Sequence, residues 1–237
     1  MFLHQHPYQP FFPKNATKLI VGTLPPPRFS IGDLKPEDVN FCYGSRDGQL
    51  WPILDKIFNL NLIYNNSEEA IKQRITFLTS KGIGICDMVE SAEREKIDAS
   101  DLGMQNVKLR NLLGYLKQYP KIDTLLFTGG NSKNGPEYFF RKHLKAHGLR
   151  LKVISKDVPR VHQFVISYPE RVSESQNAKK ELTRVMKTIS LTAPSGAANR
   201  AVGSMALYKQ LKAKNPDFNT FDFRVMQYRE FFEDASF

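Results

Sequence analysis

Apolar residues in this chain fall into short continuous runs and into longer stretches of helical period, and the two kinds alternate. The first run, Leu19-Ile20-Val21, belongs to a predicted strand over 18–22 and gives way at once to Gly22-Thr23-Leu24-Pro25-Pro26-Pro27. Each proline removes a ladder donor and fixes φ, so the sheet cannot continue there. Comparable runs predict strands over 82–86, 122–127, 149–154 and 188–191. Trp51, Ile53, Leu54, Ile57 and Phe58 recur at helical spacing in a helix that ends near Asn59. Ser67 before Glu68 and Glu69 marks the start of another, and Lys81-Gly82 its end. Further helices are predicted over 106–119, 135–147, 197–214 and 222–232. The segment 155–184 carries one alternating run, Val161, Phe164 and Ile166, and the start of a polar, helix-like tail over 173–188. Residues 1–16 place Tyr8, Phe11 and Phe12 between Pro7, Pro10 and Pro13, which reads as an extended arm pinned by its aromatics, without regular structure.

Strands alternating with helices predict a three-layer α/β/α sandwich around a mostly parallel central sheet of four or more strands. The expected division is an arm over 1–16 and one domain over 17–237, with an insertion near 155–186.

Composition changes this picture mainly through charge. A formal net charge of +10 over 237 residues favours an anionic partner, of which nucleic acid is the commonest. The competing reading is solubility alone, since the basic residues are spread along the chain. No apolar run approaches the roughly 20 residues of a membrane span. The first residues lack the basic-then-apolar layout of a secretory signal, so a cytoplasmic location is expected, and a monomer is expected separately. Cys42 and Cys86 are too few for a disulfide framework and read as reduced thiols near the core. His143, His147 and His162 have no partners at metal-ligand spacing, and neither nucleotide-binding glycine motif is present. No metal and no cofactor are expected.

Ligands of open α/β sheets bind beyond the carboxyl ends of strands. Three predicted ends stand out: Gly22-Thr23-Leu24-Pro25, Asp87, and Ala193-Pro194-Ser195-Gly196. Between the first two lies a polar turn, Tyr43-Gly44-Ser45-Arg46-Asp47-Gly48, which feeds the helix at Trp51. Ionised Asp87 only accepts hydrogen bonds and is costly to bury unpaired. It either faces a ligand or caps a helix or pairs with Arg94 or Lys96. Asp47 is either a site carboxylate or a surface turn residue. Pro194-Ser195-Gly196 at a helix start suits a phosphate, with Asn199 and Arg200 in the first turn, and Ser195 also suits an N-cap. Thr128-Gly129-Gly130-Asn131 after the third strand could close the pocket.

The order and spacing of these motifs resemble the uracil-DNA glycosylase superfamily, with the hypoxanthine-DNA and mismatch-specific branches nearest. The matched features are Gly22 to Pro25, the segment from Tyr43 to Trp51, Asp87 after the second strand, and Pro194-Ser195 opening a helix. The resemblance covers roughly residues 17–212. It implies a DNA-binding enzyme of base-excision repair that hydrolyses the N-glycosidic bond of a flipped-out uracil or hypoxanthine. On this reading Asp87, at the family's base-reading position, and Asp47, the nearest carboxylate to the second motif, are expected as catalytic groups, with Gly22, Thr23, Leu24, Pro25, Tyr43 and Trp51 around the base and Asn131 closing the pocket from the third strand. Pro194, Ser195, Gly196, Asn199 and Arg200 would meet the DNA phosphates. Two departures stand against this. Leu24 and Gly48 occupy the positions where such proteins carry a catalytic amide. The alternatives are therefore a catalytically inactive DNA-binding relative and, from another class, an α/β hydrolase-like or ligand-binding protein unrelated to DNA.

Overall fold

A computed structural model describes residues 1–98, 100–169 and 181–233. The elements run β1 (Phe2–Gln5), β2 (Lys18–Val21), α1 (Pro27–Ser30), α2 (Leu50–Phe58), α3 (Glu68–Lys81), β3 (Ile83–Ile85) and β4 (Val89–Arg94). They continue through β5 (Gln105–Leu109), α4 (Leu112–Gln118), β6 (Thr124–Phe127), α5 (Pro136–Ala146), β7 (Lys152–Ser155), β8 (Arg160–Pro169) and β9 (Glu181–Ser190). The chain ends in α6 (Asn199–Ser204), α7 (Ala206–Lys214) and α8 (Thr220–Phe232).

Six strands form the central sheet in the order β3-β2-β6-β9-β8-β7. The pairs β2–β3, β2–β6 and β6–β9 are parallel, and β8 and β7 extend the sheet antiparallel. Alternation along each strand splits the core between two faces. Leu19, Val21, Leu125 and Phe127 pack with α4 and α5, while Ile20, Leu126 and Ile189 pack with α2, α3 and α8. This is the expected three-layer sandwich. Its function-bearing consequence is directional: β2, β3, β6 and β9 all end on one side, so their loops meet there.

Local signals explain several boundaries. Ser67 Oγ accepts from the amide of Ala70 and so caps α3. Gly82 closes it at φ 61°, in the left-handed region that glycine enters at no steric cost. Among the described residues no helix is long and apolar enough to cross a membrane.

Five expectations need correction. The arm is not irregular at its start, because β1 pairs antiparallel with β4 in a second sheet, β1-β4-β5. The helix predicted over 106–119 is two elements, β5 and α4. Val107 and Leu109 fit period 2 as well as 3.6, pairing with β4 claims them, and Asn111 then caps α4 through a bond from the amide of Gly114. The strand predicted over 188–191 is the end of the ten-residue β9, which pairs with β8 along its whole length. Of the helix-like tail, residues 181–188 are in this strand and 173–180 lie outside the described residues. The helix predicted over 197–214 breaks at Met205, whose backbone is extended between α6 and α7.

Candidate active site

Where the parallel strands end, the loops after β2, β3, β6 and β9 and the turn before α2 enclose a cavity of about 300 Å³. Its floor is built on Gly22. A β-carbon there would lie 2.2 Å from the Tyr43 hydroxyl and 2.8 Å from Asp87 Oδ1, so only glycine lets these groups close over the strand end.

Asp87 follows β3 and is buried. Its Oδ1 accepts from the Gly22 amide at 2.9 Å and from the Tyr43 hydroxyl at 2.8 Å. Its Oδ2 meets His6 Nε2 at 2.9 Å. Burial alone would raise this carboxyl, but the bonds from His6 and Tyr43 and the nearby Arg110 charge override it and hold it below the usual range. Asp87 is thus an ionised acceptor fixed from three sides, and its side-chain partner beside Tyr43 is His6 rather than Arg94 or Lys96. Tyr43 has the opposite bias. Burial first, then Asp87, pushes its hydroxyl well above the ordinary value, so it stays a neutral donor. Its φ of 58° is unusual for a non-glycine residue and brings the ring over the floor, within 3.3 Å of Thr128 Oγ1 at its hydroxyl.

One wall is organised by a buried pair. Arg28 Nε and Nη2 donate to the two oxygens of Asp38 at 2.8 Å each. The amides of Lys35 and Arg46 donate to the same carboxylate. Burial opposes ionisation of Asp38, yet these donors bring it down to about 2. Arg28 also donates to Ser45 Oγ at 2.8 Å and lies 3.6 Å from Asp47 Oδ2. Asp47 itself is 69% exposed and stands at the mouth.

The opposite wall is the loop after β9. The Gln49 amide donates to the Pro194 carbonyl at 2.8 Å, and Gly48 and Ser195 form an isolated antiparallel bridge. Buried Arg224 of α8 donates to the carbonyls of Ala193 and Ser195 and to Asn199 Oδ1. Ser195 Oγ accepts from the amide of Ala197, the N-cap role.

Thr23, Leu24, Pro25, Tyr43, Asp47, Asp87, Pro194 and Ser195 therefore converge on one cavity, with Gly22 beneath them. Five expected residues are elsewhere. Trp51 is in the core: its Nε1 donates to the Cys42 carbonyl, and its ring meets Phe41, Phe77 and Arg74. A ring with its only donor spent and 1% of its surface exposed cannot touch a ligand. Asn131 is exposed and lines an adjoining cavity. The oxygen of Asn199 is occupied by Arg224 and Thr220, which makes it a brace for the loop. Gly196 and Arg200 are exposed beyond the cavity.

The sequence pattern did not single out His6, Arg28, Gln49, Asp101 or Arg224. His6 is foreshadowed only by the alternation of His4 and His6 in the arm. Asp101, in a single 3-10 turn, carries no sequence signal at all. It lines the cavity and accepts from Thr23 Oγ1 at 2.9 Å. Burial raises its carboxyl to about 6, against the lowering effects of Thr23 and Arg94.

The architecture is that of a mixed α/β protein whose site lies at the ends of parallel strands, and a solved structure shares it. The solution NMR structure named as a putative uracil DNA glycosylase from Methanosarcina acetivorans matches 94% of this chain and 98% of its own, with a TM-score of 0.50 and 16% sequence identity. At that identity the likeness is one of fold. No protein-family model matches the chain, and no curated protein matches it significantly.

Proposed function

We propose that the protein binds DNA and hydrolyses the N-glycosidic bond of a deaminated base, uracil or hypoxanthine, drawn out of the duplex into the cavity above Gly22. The observation that carries this reading is the Asp87 carboxylate, held as an ionised acceptor on the cavity floor by His6, Tyr43 and Gly22. An extruded base has lost its pairing partner and must find new ones in the pocket. An acceptor suits an edge that presents N–H, which favours hypoxanthine over a lone carbonyl. The Tyr43 ring offers a stacking face, worth roughly 1–3 kcal/mol in comparable contacts. Asp47, exposed at the mouth, supplies negative charge where the sugar becomes oxocarbenium-like. Ser195 on the rim and the exposed Gly196 and Arg200 beside it would meet the flanking phosphates. The shared fold and the net charge of +10 support DNA as the partner.

Leu24 and Gly48 favour one second reading, a DNA-binding relative without chemistry. Duplexes carrying uracil, hypoxanthine or xanthine, assayed for abasic sites, separate the two. Base release that is lost in Asp87→Asn while DNA binding persists supports the enzyme. Binding that weakens steeply with salt, without release of any base, supports the inactive relative. Neither release nor binding removes DNA from the account.

A further inference from the structure

We infer that Asp101 is the general base of the site, the group that takes the proton from the attacking water; this rests on the glycosidase reading above. Three carboxylates line the cavity, and their surroundings differ. Asp87 spends Oδ1 on two donors and Oδ2 on His6, which fits it for holding a ligand edge and leaves it poorly placed to take a proton. Asp47 is largely exposed and shares Arg28 with Asp38. Asp101 spends only Oδ1, on Thr23 Oγ1, and its Oδ2 accepts no hydrogen bond from any described residue.

Its placement is also fixed from two directions. Thr23 holds the side chain from the loop after β2. Asn134, buried in the loop after β6, holds the turn by donating to the carbonyls of Asp101 and Met104 at 2.9 and 3.2 Å. Asn134 does this at φ 62°, a left-handed backbone that asparagine tolerates better than most residues. Asp101 is, besides, on the boundary between the main cavity and the adjoining one of about 580 Å³, since it lines both, as do Thr128 and Ala193. A base seated over Asp87 would share its cavity with Asp101, on the side that adjoins the second cavity.

The step balances without a further reagent. Water oxygen bonds to the anomeric carbon, and the carbon–nitrogen bond breaks with its electron pair going to the departing base. The water proton passes to Asp101 Oδ2 and from there to the base. A general base works best when its own pKa lies near the working pH, and positioned bases contribute about 10²–10⁴-fold. The charged and titratable groups acting on Asp101 are Asp87, which disfavours its ionisation, and Arg94, which favours it.

The test compares wild type, Asp101→Asn and Asp101→Glu under single-turnover conditions on the base that wild type releases, from pH 4.5 to 8.5. Wild type should show a rate rising with pH and levelling above about 6. Asp101→Asn should be slower by about a hundredfold or more and lose that inflection, with duplex affinity unchanged. Asp101→Glu should recover part of the rate. An Asp101→Asn protein within threefold of wild type, or one whose residual rate keeps the inflection, overturns the assignment while leaving the glycosidase reading standing. Wild type that releases no base overturns both. A melting temperature for Asp101→Asn no lower than that of wild type at pH 7 keeps a folding defect from imitating the expected loss.

Discussion

His6 Nε2 stands 2.9 Å from Asp87 Oδ2, although 81 residues separate them along the chain. The arm that begins the protein thus supplies part of the floor of a cavity built by the central sheet. His6→Ala should free one oxygen of a buried carboxylate and cost about 1.5–3 kcal/mol, the range for hydrogen bonds to charged groups. Base release should fall about tenfold or more, since about 1.4 kcal/mol is a factor of ten. Thermal melting and abasic-site formation, measured on the same preparation, check the two effects.

Gly22 and Tyr43 should be energetically coupled. Gly22→Ala places a methyl group 2.2 Å from the Tyr43 hydroxyl, so one of them must move. Tyr43→Phe removes that hydroxyl and with it the donor to Asp87. The double variant should therefore be less destabilised than the sum of the singles, by an interaction of about 0.5–3 kcal/mol. Denaturant unfolding of the four proteins measures it, and strict additivity would show that the two residues do not meet.

Arg224 is expected to govern the loop after β9. Its guanidinium serves four acceptors, on Ala193, Ser195, Asn199 and Thr220, from a fully buried position. Arg224→Lys keeps a charge but cannot span a planar fork of acceptors. Leaving buried acceptors unpaired costs about 1–3 kcal/mol each. Hydrogen exchange should accelerate at the amide of Gln49, which bonds across to Pro194, and at that of Ala198, which bonds to Ser195 within the loop, while those of β2 and β6 stay protected.

Stability should fall on mild acidification. Burial, reinforced by Arg94 for His4 and by His147 for His143, lowers both imidazoles from 6.5 to about 4. His4 Nδ1 accepts from Arg94 Nε at 2.8 Å, a bond that only the neutral ring can make. A folded-state value below the unfolded one means that the unfolded chain binds more protons in that interval. The stabilisation is complete above pH 6.5 and is lost as pH falls toward 4. Asp101 acts oppositely: its raised value makes its charge a cost above about 6, relieved as pH falls. These two imidazoles, with His162 lowered in the same direction by burial, outweigh the one raised carboxyl, so melting temperature should drop between pH 6.5 and 4.5, and His4→Gln should flatten the drop.

Much of the frame was legible because its signals are local. Leu19-Ile20-Val21 and Leu125-Leu126-Phe127 are apolar on both faces, as strands covered by two helical layers must be, and Ser67 and Gly82 punctuate α3 by their own chemistry. The small sheet was not legible, because VESAER in β4 is as compatible with a helix as with a strand, and pairing with β1 and β5 decides it. Asp87 announced itself as a lone acid ending an apolar strand. Its partner His6 did not, since the prolines beside it suggested an irregular arm. Trp51 differs for the reverse reason: the resemblance set it around the base, whereas the helix that its apolar spacing predicts turns it inward. Asp101 owes its place to Thr23 and Asn134, contacts that no pattern around residue 101 encodes.

The two walls of the cavity are tied to each other through peptide groups, Gln49 to Pro194 and Gly48 to Ser195. Such a tie does not depend on which side chains the walls carry. Exchanging Asp47 or Leu24 leaves both peptide ties in place, so the lining of the mouth can change by single substitutions while its outline stays. A chain built this way can drift far in sequence, alter what it accepts, and keep its shape.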